Sequence, residues 1–401
     1  MQARKHDGER RGLRVLVAPD KFKGTLTAAQ AADAIARGWE RARPEDVLER
    51  FPISDGGDGF GELLGQRLRA QEREVDTVDA AQQPVRARWW WVSQPRLAVV
   101  ESARVIGLAM LPQGRFHPRE LDTFGLGALL AAVARRQPRT CLVGVGGSAT
   151  NDGGFGLARA LGWVFLDRAG GKIETWTALH RLAQVKEPVR RLNLGRLVVA
   201  VDVGNPLLGV HGATRVYGPQ KGIRPADAGP AERCLRRLAR VIARQLPSCR
   251  RLAVEPGAGA AGGLGFGLAA FAGAVIKPGF ALFARLTGFA ARVGQADVVL
   301  TGEGAIDATS VLMGKGVGQV ARLAGKLHRP CLGLAGTVNA TEFRRHPFCR
   351  LHAIVPVLAT SDAAKAQPAF WLTRLAQQAA EAWSRAPSPS ASASASPSPS
   401  R

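Results

Sequence analysis

The sequence predicts an α/β protein with mostly parallel sheets, in two or three domains. Three observations carry this. Short apolar runs alternate along the chain with longer stretches of helical periodicity, which is the grammar of βαβ units. Each apolar run ends in a loop bearing Gly or Asp. The chain has 401 residues, 46% hydrophobic and 22% charged, which is ordinary globular composition. At roughly 100–200 residues per domain that length suits two domains and excludes wholesale disorder.

The elements follow in order. LRVLVAP (13–19) reads as a buried strand. Thr27 with Gln30 three residues later is a capping-box signature, and Ile35 and Trp39 recur at helical spacing, so a helix follows. The same strand, loop and helix pattern returns at TCLVGVGG (140–147), RLVVAVDVG (196–204), DVVLTGEG (297–304) and PCLGLAG (330–336). VRARWWWV (85–92) and RLAVVES (96–102), joined by a short SQP turn, read as an antiparallel pair. Successive strand residues face opposite sides, so the three tryptophans cannot form one stacking platform and are assigned to burial. RCLRRLARVIARQL (233–246) places Leu235, Leu238 and Ile242 on one helical face, with Arg236, Arg237, Arg240 and Arg244 on a solvated one.

Composition excludes several classes. The five cysteines are scattered, with no C-x-x-C and no zinc-spaced histidine pair, so neither a disulfide framework nor a zinc site is expected. No run of about 18 apolar residues occurs, so no membrane partner is expected. The charged start lacks an apolar segment after it, so a cytoplasmic protein is expected. Residues 1–12 read as a flexible basic N-terminus and 385–401 as a disordered Ser/Pro/Ala tail. Net charge is +23, from 55 Lys and Arg against 32 Asp and Glu. Such a protein attracts anions, phosphorylated metabolites and nucleic acid alike. A basic nucleic-acid-binding protein is therefore the alternative of another class. The acidic, glycine-rich loops argue against it, and no specific nucleic-acid partner is expected.

Those loops follow the predicted strands, where open α/β sheets bind ligands. APDKFKG (18–24) offers Asp20 for a metal or a proton and Lys23 for a phosphate. FPISDGGDGFGELL (51–64) sets Asp55 and Asp58 among glycines ahead of a helix, suited to Mg²⁺ or a substrate hydroxyl. GVGGSATNDGGFG (144–156) is the strongest local signal. Its free N–H groups near a helix start suit an anion, with Gly147, Ser148, Ala149, Thr150 and Asn151 as candidates and Asp152 as a metal-capable oxygen. It matches neither generic nucleotide motif. AVDVGNPLLGVHGATRVYGPQKG (200–222) carries Asp202, a base or metal ligand, and Lys221, either an anion contact or an exposed turn. EPGAGAAGGLGFGLAAF (255–271) reads as close packing or a phosphate cradle. LTGEGAIDATSVLMGKG (300–316) offers Glu303 and Asp307 in a loop, with Thr309, Ser310 and Lys315 nearby.

Six of these segments together resemble the bacterial glycerate kinase family of the two-domain type: 18–35, 52–60, 144–154, 201–222, 256–268 and 296–307, in the family's order. The resemblance spans about residues 13–380. It implies ATP- and Mg²⁺-dependent phosphorylation of D-glycerate, with 2-phosphoglycerate as the usual product of this type. A changed acceptor or a 3-phosphoglycerate product stays open. It also implies a flavodoxin-like domain from both chain ends, 13–80 with 285–384, and a second α/β domain inserted at 81–284. Two positions depart: Ala305 where the family usually has a basic residue, and Phe60 where Thr is common. In this reading Asp20, Lys23, Asp202 and Asp307 carry catalysis, and Asp152 with Asp202 holds the metal. Asp55, Asp58, residues 147–151, Lys221 and Glu303 meet substrate or phosphate. A monomer and a homodimer are both open.

Overall fold

The computed structural model describes residues 12–312, 316–339 and 346–385. The expectations for residues 1–11, Lys315 and 386–401 lie outside them. The chain forms two compact units: Ile53–Ala290, and the chain on either side of it, up to Pro52 and from Ala291 onward. The N-terminal flank contributes β1 (Arg14–Val17) and β2 (Val47–Arg50). The inserted unit contributes β3 (Gln71–Val78), β4 (Pro84–Val92), β5 (Leu97–Glu101), β6 (Thr140–Gly144), β7 (Val164–Leu166), β8 (Gln184–Lys186), β9 (Arg196–Val201) and β10 (Val275–Pro278). The C-terminal flank contributes β11 (Val298–Ile306), β12 (Cys331–Val338) and β13 (Arg350–Val355).

In the flanking unit the sheet runs β13-β12-β11-β1-β2, with every neighbouring pair parallel. Counted within the unit, that is strand order 2-1-3-4-5, the flavodoxin-like arrangement. A parallel sheet is covered on both faces, so its strands are apolar throughout rather than alternating. Val15, Leu16 and Val17 are accordingly all buried. The helix Ala28–Ala42 starts at the predicted capping box. Thr27 Oγ1 accepts from Gln30 N, and Gln30 Oε1 accepts from Thr27 N at 2.9 Å. Its buried Ile35 and Trp39 join a core shared with Leu372, Leu375 and Ala376 of the helix Pro368–Arg385.

In the inserted unit the sheet runs β10-β9-β6-β5-β4-β3. β10, β9, β6 and β5 are parallel, while β4 and β3 are antiparallel additions. The predicted β4–β5 hairpin forms, and its tryptophans alternate. Trp89 and Trp91 enter the main core at 6.3 Å, edge to face. Trp90 points the other way, against Gly61 and Gly65 of the helix Phe60–Arg67.

This corrects the domain boundary. The expected flanking domain included 53–80 and 285–290; the structure places both stretches in the inserted unit. β3 is that unit's edge strand, paired with β4 from Gln71–Trp91 to Val78–Pro84, and Trp90 covers the helix before it. The boundary implied by the resemblance fell between β3 and β4 and cut this hairpin in two. The basic helix lies within Pro225–Gln245, with Leu235, Leu238 and Ile242 fully buried. Arg237 and Arg244 donate to the carbonyls of Leu182 and Ala183, at 2.5 and 2.9 Å. Those two guanidinium groups thus tie the helix to its own unit. Among the described residues no helix is long and apolar enough to cross a membrane. All five cysteines are free thiols.

Candidate active site

In the flanking unit the strand order reverses between β1 and β11, the switch point at which open α/β sheets bind ligands. Asp20 sits just past β1, 7% exposed. Its N–H donates to Gly302 O at 2.8 Å, and its Oδ1 accepts from Lys21 N at 2.7 Å. The turn from Phe22 to Leu26 holds Lys23 at the surface. β11 continues through Ile306, pairing Glu303 with Ala335 and Ile306 with Val338. Glu303 is therefore half-buried within a strand rather than in a loop. The glycines on either side of it suggested a loop, but the ladder to β12 overrides that local preference. Ala305 is exposed, opposite Thr337 on the neighbouring strand. Asp307 accepts from Ser310 N at 3.0 Å and caps the short helix Ala308–Leu312.

In the inserted unit the loops leaving β5, β6, β9 and β10 share one sheet edge, because these strands are parallel. The 55–59 turn packs there. Asp55 is buried, and its Oδ1 accepts from Gly57 N at 3.3 Å, an Asx turn. Asp58 is exposed, and its carboxylate lies against Gly147. A Cβ at Gly147 would stand 2.0 Å from Asp58 Oδ1, and φ there is +60°, so glycine is required on both counts. The structure thus joins two segments that are distant in sequence. Phe60 is fully buried and packs on Gly144. Glu101, at the end of β5, accepts from Gly59 N at 2.8 Å and Gly61 N at 3.1 Å, fastening the helix Phe60–Arg67. Burial pushes its carboxyl up.

The 147–154 loop is tightly bonded. Ala149 N donates to Ile106 O at 2.8 Å, and Thr150 N to Ser148 Oγ at 3.0 Å. Those two N–H groups are committed internally, so Ala149 does not offer its own to an anion. Asn151 Nδ2 donates to Thr214 Oγ1 at 3.0 Å, while its buried Oδ1 has no donor among the described residues. Asp152 is fully buried and corrects the expectation of a metal ligand. Its Oδ2 accepts from Thr123 N, Thr123 Oγ1 and Gly156 N at 3.0, 2.8 and 2.9 Å, and Oδ1 from Gly154 N at 3.1 Å. With both oxygens occupied by donors near two helix starts, it is a structural anchor.

Asp202 is half-exposed just past β9. The chain's single tyrosine, Tyr217, lies beside it; burial and then the Asp202 charge raise the phenol's pKa. Tyr217 Oη donates to Asn205 Oδ1 at 2.5 Å, and Asn205 Nδ2 donates to His211 O at 2.8 Å. Lys221 is not an exposed turn residue. It is 7% exposed, and its Nζ donates to Thr150 O at 2.6 Å. Burial pushes its amine down to about 7, partly offset by the charge of Asp152. The glycine-rich 255–271 segment proves to be packing. A Cβ at Gly262 would stand 1.9 Å from Thr150 O, and Gly153 N donates to Gly262 O at 3.1 Å.

The sequence reading missed Glu101, Thr123, Tyr217 and Asp122. A carboxylate closing an apolar run was the only signal for Glu101. Thr123 and Asp122 could be found only once Asp152 was placed. Burial, and then the neighbouring Asp152, push the Asp122 carboxyl up to about 6. The fold therefore binds this proton more tightly than the unfolded chain does. The resulting stabilisation is present below the ordinary value of 3.8 and is lost as pH rises through about 6. Asp122→Asn removes that titration. The stability difference between variant and wild type, from urea midpoints, is expected to shift towards the variant across this window. A difference independent of pH would refute it.

Residues 15–384 match the model of the glycerate kinase family. The chain is 33% identical over 383 residues to a glycerate kinase of Halalkalibacterium halodurans, covering 93% of this chain and 99% of that one. It is 32% identical over 361 residues to the glycerate 2-kinase of Escherichia coli K12, covering 88% and 93%. A crystal structure from Salmonella typhimurium LT2, provisionally assigned as glycerate kinase 2, superposes with a TM-score of 0.75 at 30% identity, covering 93% of this chain and 98% of that one. The strand order of the flanking unit, the loops at the carboxyl ends of both sheets and these likenesses together place the chain in the glycerate kinase family.

Proposed function

We propose that the protein transfers the γ-phosphoryl group of ATP to D-glycerate and releases 2-phosphoglycerate. The observation that carries this reading, given the family, is the 147–151 loop. It is a turn at a parallel-strand edge, buried over 148–151 and held by internal hydrogen bonds, with Gly147 exposed beside the carboxylate of Asp58. Phosphoryl transfer asks the protein mainly for positioning and for neutralisation of charge. In this reading the turn receives an anionic group of the substrate. Asp202 lies within the same unit and accepts the proton of the attacking hydroxyl. At the switch point of the other unit, Lys23 serves a phosphate and Asp20 a metal ion or a proton.

Mg²⁺ fits the donors present. Among the described residues no group of three or more His, Cys, Asp or Glu is arranged as a metal cage. Mg²⁺ usually needs only one or two carboxylates beside the substrate's phosphates. Asp202, just past β9, is the carboxylate this reading offers for that duty, and Asp152 is not. When bound with the nucleotide, the ion neutralises charge on the phosphates. Free thiols throughout and a need for ATP agree with a cytoplasmic enzyme.

The test is ADP release in the presence of D-glycerate, followed by phosphorus NMR of the product. The expected result is D-glycerate-dependent turnover and a phosphorus coupled to a single carbon-bound proton. Coupling to a methylene pair would make the product 3-phosphoglycerate. ADP release with L-glycerate or another hydroxy acid alone would change the acceptor.

A further inference from the structure

A lysine with its amine withdrawn from water is costly, by several kcal/mol for an unrelieved charge. Thr150 O could be satisfied by any backbone N–H at no such cost. Lys221 nevertheless reaches across 71 residues of sequence to that one carbonyl, at 2.6 Å. The turn Pro219–Lys221 brings it there: Lys221 N donates to Gly218 O at 3.0 Å, and Gly222, with φ at +96°, turns the chain away.

The consequence falls on the next residue. The Thr150–Asn151 peptide is trans, since the only cis bonds among the described residues precede Pro95 and Pro356. In a trans peptide the C=O and the following N–H point in opposite directions. A donor that holds Thr150 O on one side therefore sets the Asn151 N–H on the other. Asn151 is fully buried, is tethered through Nδ2 to Thr214, and keeps an Oδ1 without a donor. Buried polar atoms are seldom left this way unless a ligand or water completes them. Asn151 thus has the character of a residue prepared for a polar guest, and its peptide is aimed by Lys221.

We propose that Lys221 is a positioning residue that orients the Thr150–Asn151 peptide so that Asn151 receives a polar group of the hydroxy-acid substrate. Lys221 thus acts through the loop rather than by gripping the anion itself. This rests on the reading of the 147–151 turn as a substrate site. It makes Asn151 the contact and Lys221 its support.

The test is Lys221→Met, which keeps the length of the side chain and removes the donor. Two readouts are taken on the full chain: steady-state kinetics, and hydrogen exchange of the peptide covering 148–152. The KM for D-glycerate is expected to rise by about 10²-fold, the scale of a small misplacement in a binding geometry. The KM for ATP should change far less, and exchange in 148–152 should be faster than in wild type. A raised KM with unchanged exchange would mean that Lys221 grips the anion directly, and would overturn the proposal. Faster exchange with unchanged KM would overturn it too. Should Lys221→Met fail to fold, Lys221→Leu, which also lacks a donor, gives the same two readouts with the same meaning. If wild type itself shows no turnover with D-glycerate, the functional reading has failed. The positioning claim is then judged on exchange alone, and unchanged exchange refutes it.

Discussion

Asp202→Asn is expected to lower kcat by about 10²–10⁴-fold, the range associated with loss of a positioned proton acceptor. The melting temperature should stay near that of wild type. Asp202 is the first residue past β9 and is half-exposed, so its carboxylate is not embedded in the core. The amide is nearly isosteric and still accepts hydrogen bonds, but it cannot take up a proton or hold Mg²⁺ with a full charge. Base and metal duty separate by titration. If Asp202 holds the ion, raising Mg²⁺ should recover part of the rate. If it accepts the hydroxyl proton, no concentration of Mg²⁺ will do so. A variant as fast as wild type would remove Asp202 from the chemistry and leave the carboxylates of the flanking unit to supply it.

Asp152→Ala is the counterpart, with a large effect on stability. The substitution strips the acceptor from Thr123 N, Thr123 Oγ1, Gly154 N and Gly156 N at a site with no exposure. Each buried donor left without an acceptor costs about 1–3 kcal/mol. The measurement is the urea midpoint at neutral pH, read against an unchanged m-value. Asp152→Asn should lie between the two. It keeps one acceptor oxygen but turns an NH₂ group towards N–H donors. A metal ligand would behave in the opposite way, with a small change in stability and a large change in Mg²⁺ dependence. That pattern would restore Asp152 to the metal site.

The two aspartates show where sequence reading succeeds and where it stops. Both are acidic residues following glycine-bearing apolar runs, and nothing in the string separates them. What separates them is the direction of approach. Asp152 lies where the starts of two helices, Phe124–Ala134 and Phe155–Ala160, turn their unpaired N–H groups on it. Asp202 is half-exposed just past β9, beside Tyr217. Lys221 makes the same point: anion contact and exposed turn read alike in the string, and the fold buries it on Thr150 O.

Periodicity and capping chemistry, both local, determined the strands β1, β6, β9, β11 and β12, the first helix with its Thr27 cap, the β4–β5 hairpin and the alternating burial of its tryptophans. The ordered set of loop segments determined the family, because side-chain identity is the direct carrier of such a pattern. Only the tertiary structure decided that 53–80 belongs to the inserted unit, that Glu303 lies in a strand, and that Asp152 anchors while Lys221 supports the 147–151 turn. Each of those outcomes depends on pairing or desolvation by residues tens to hundreds of positions away. Energies of that kind are set by three-dimensional neighbours and leave no mark at the position itself.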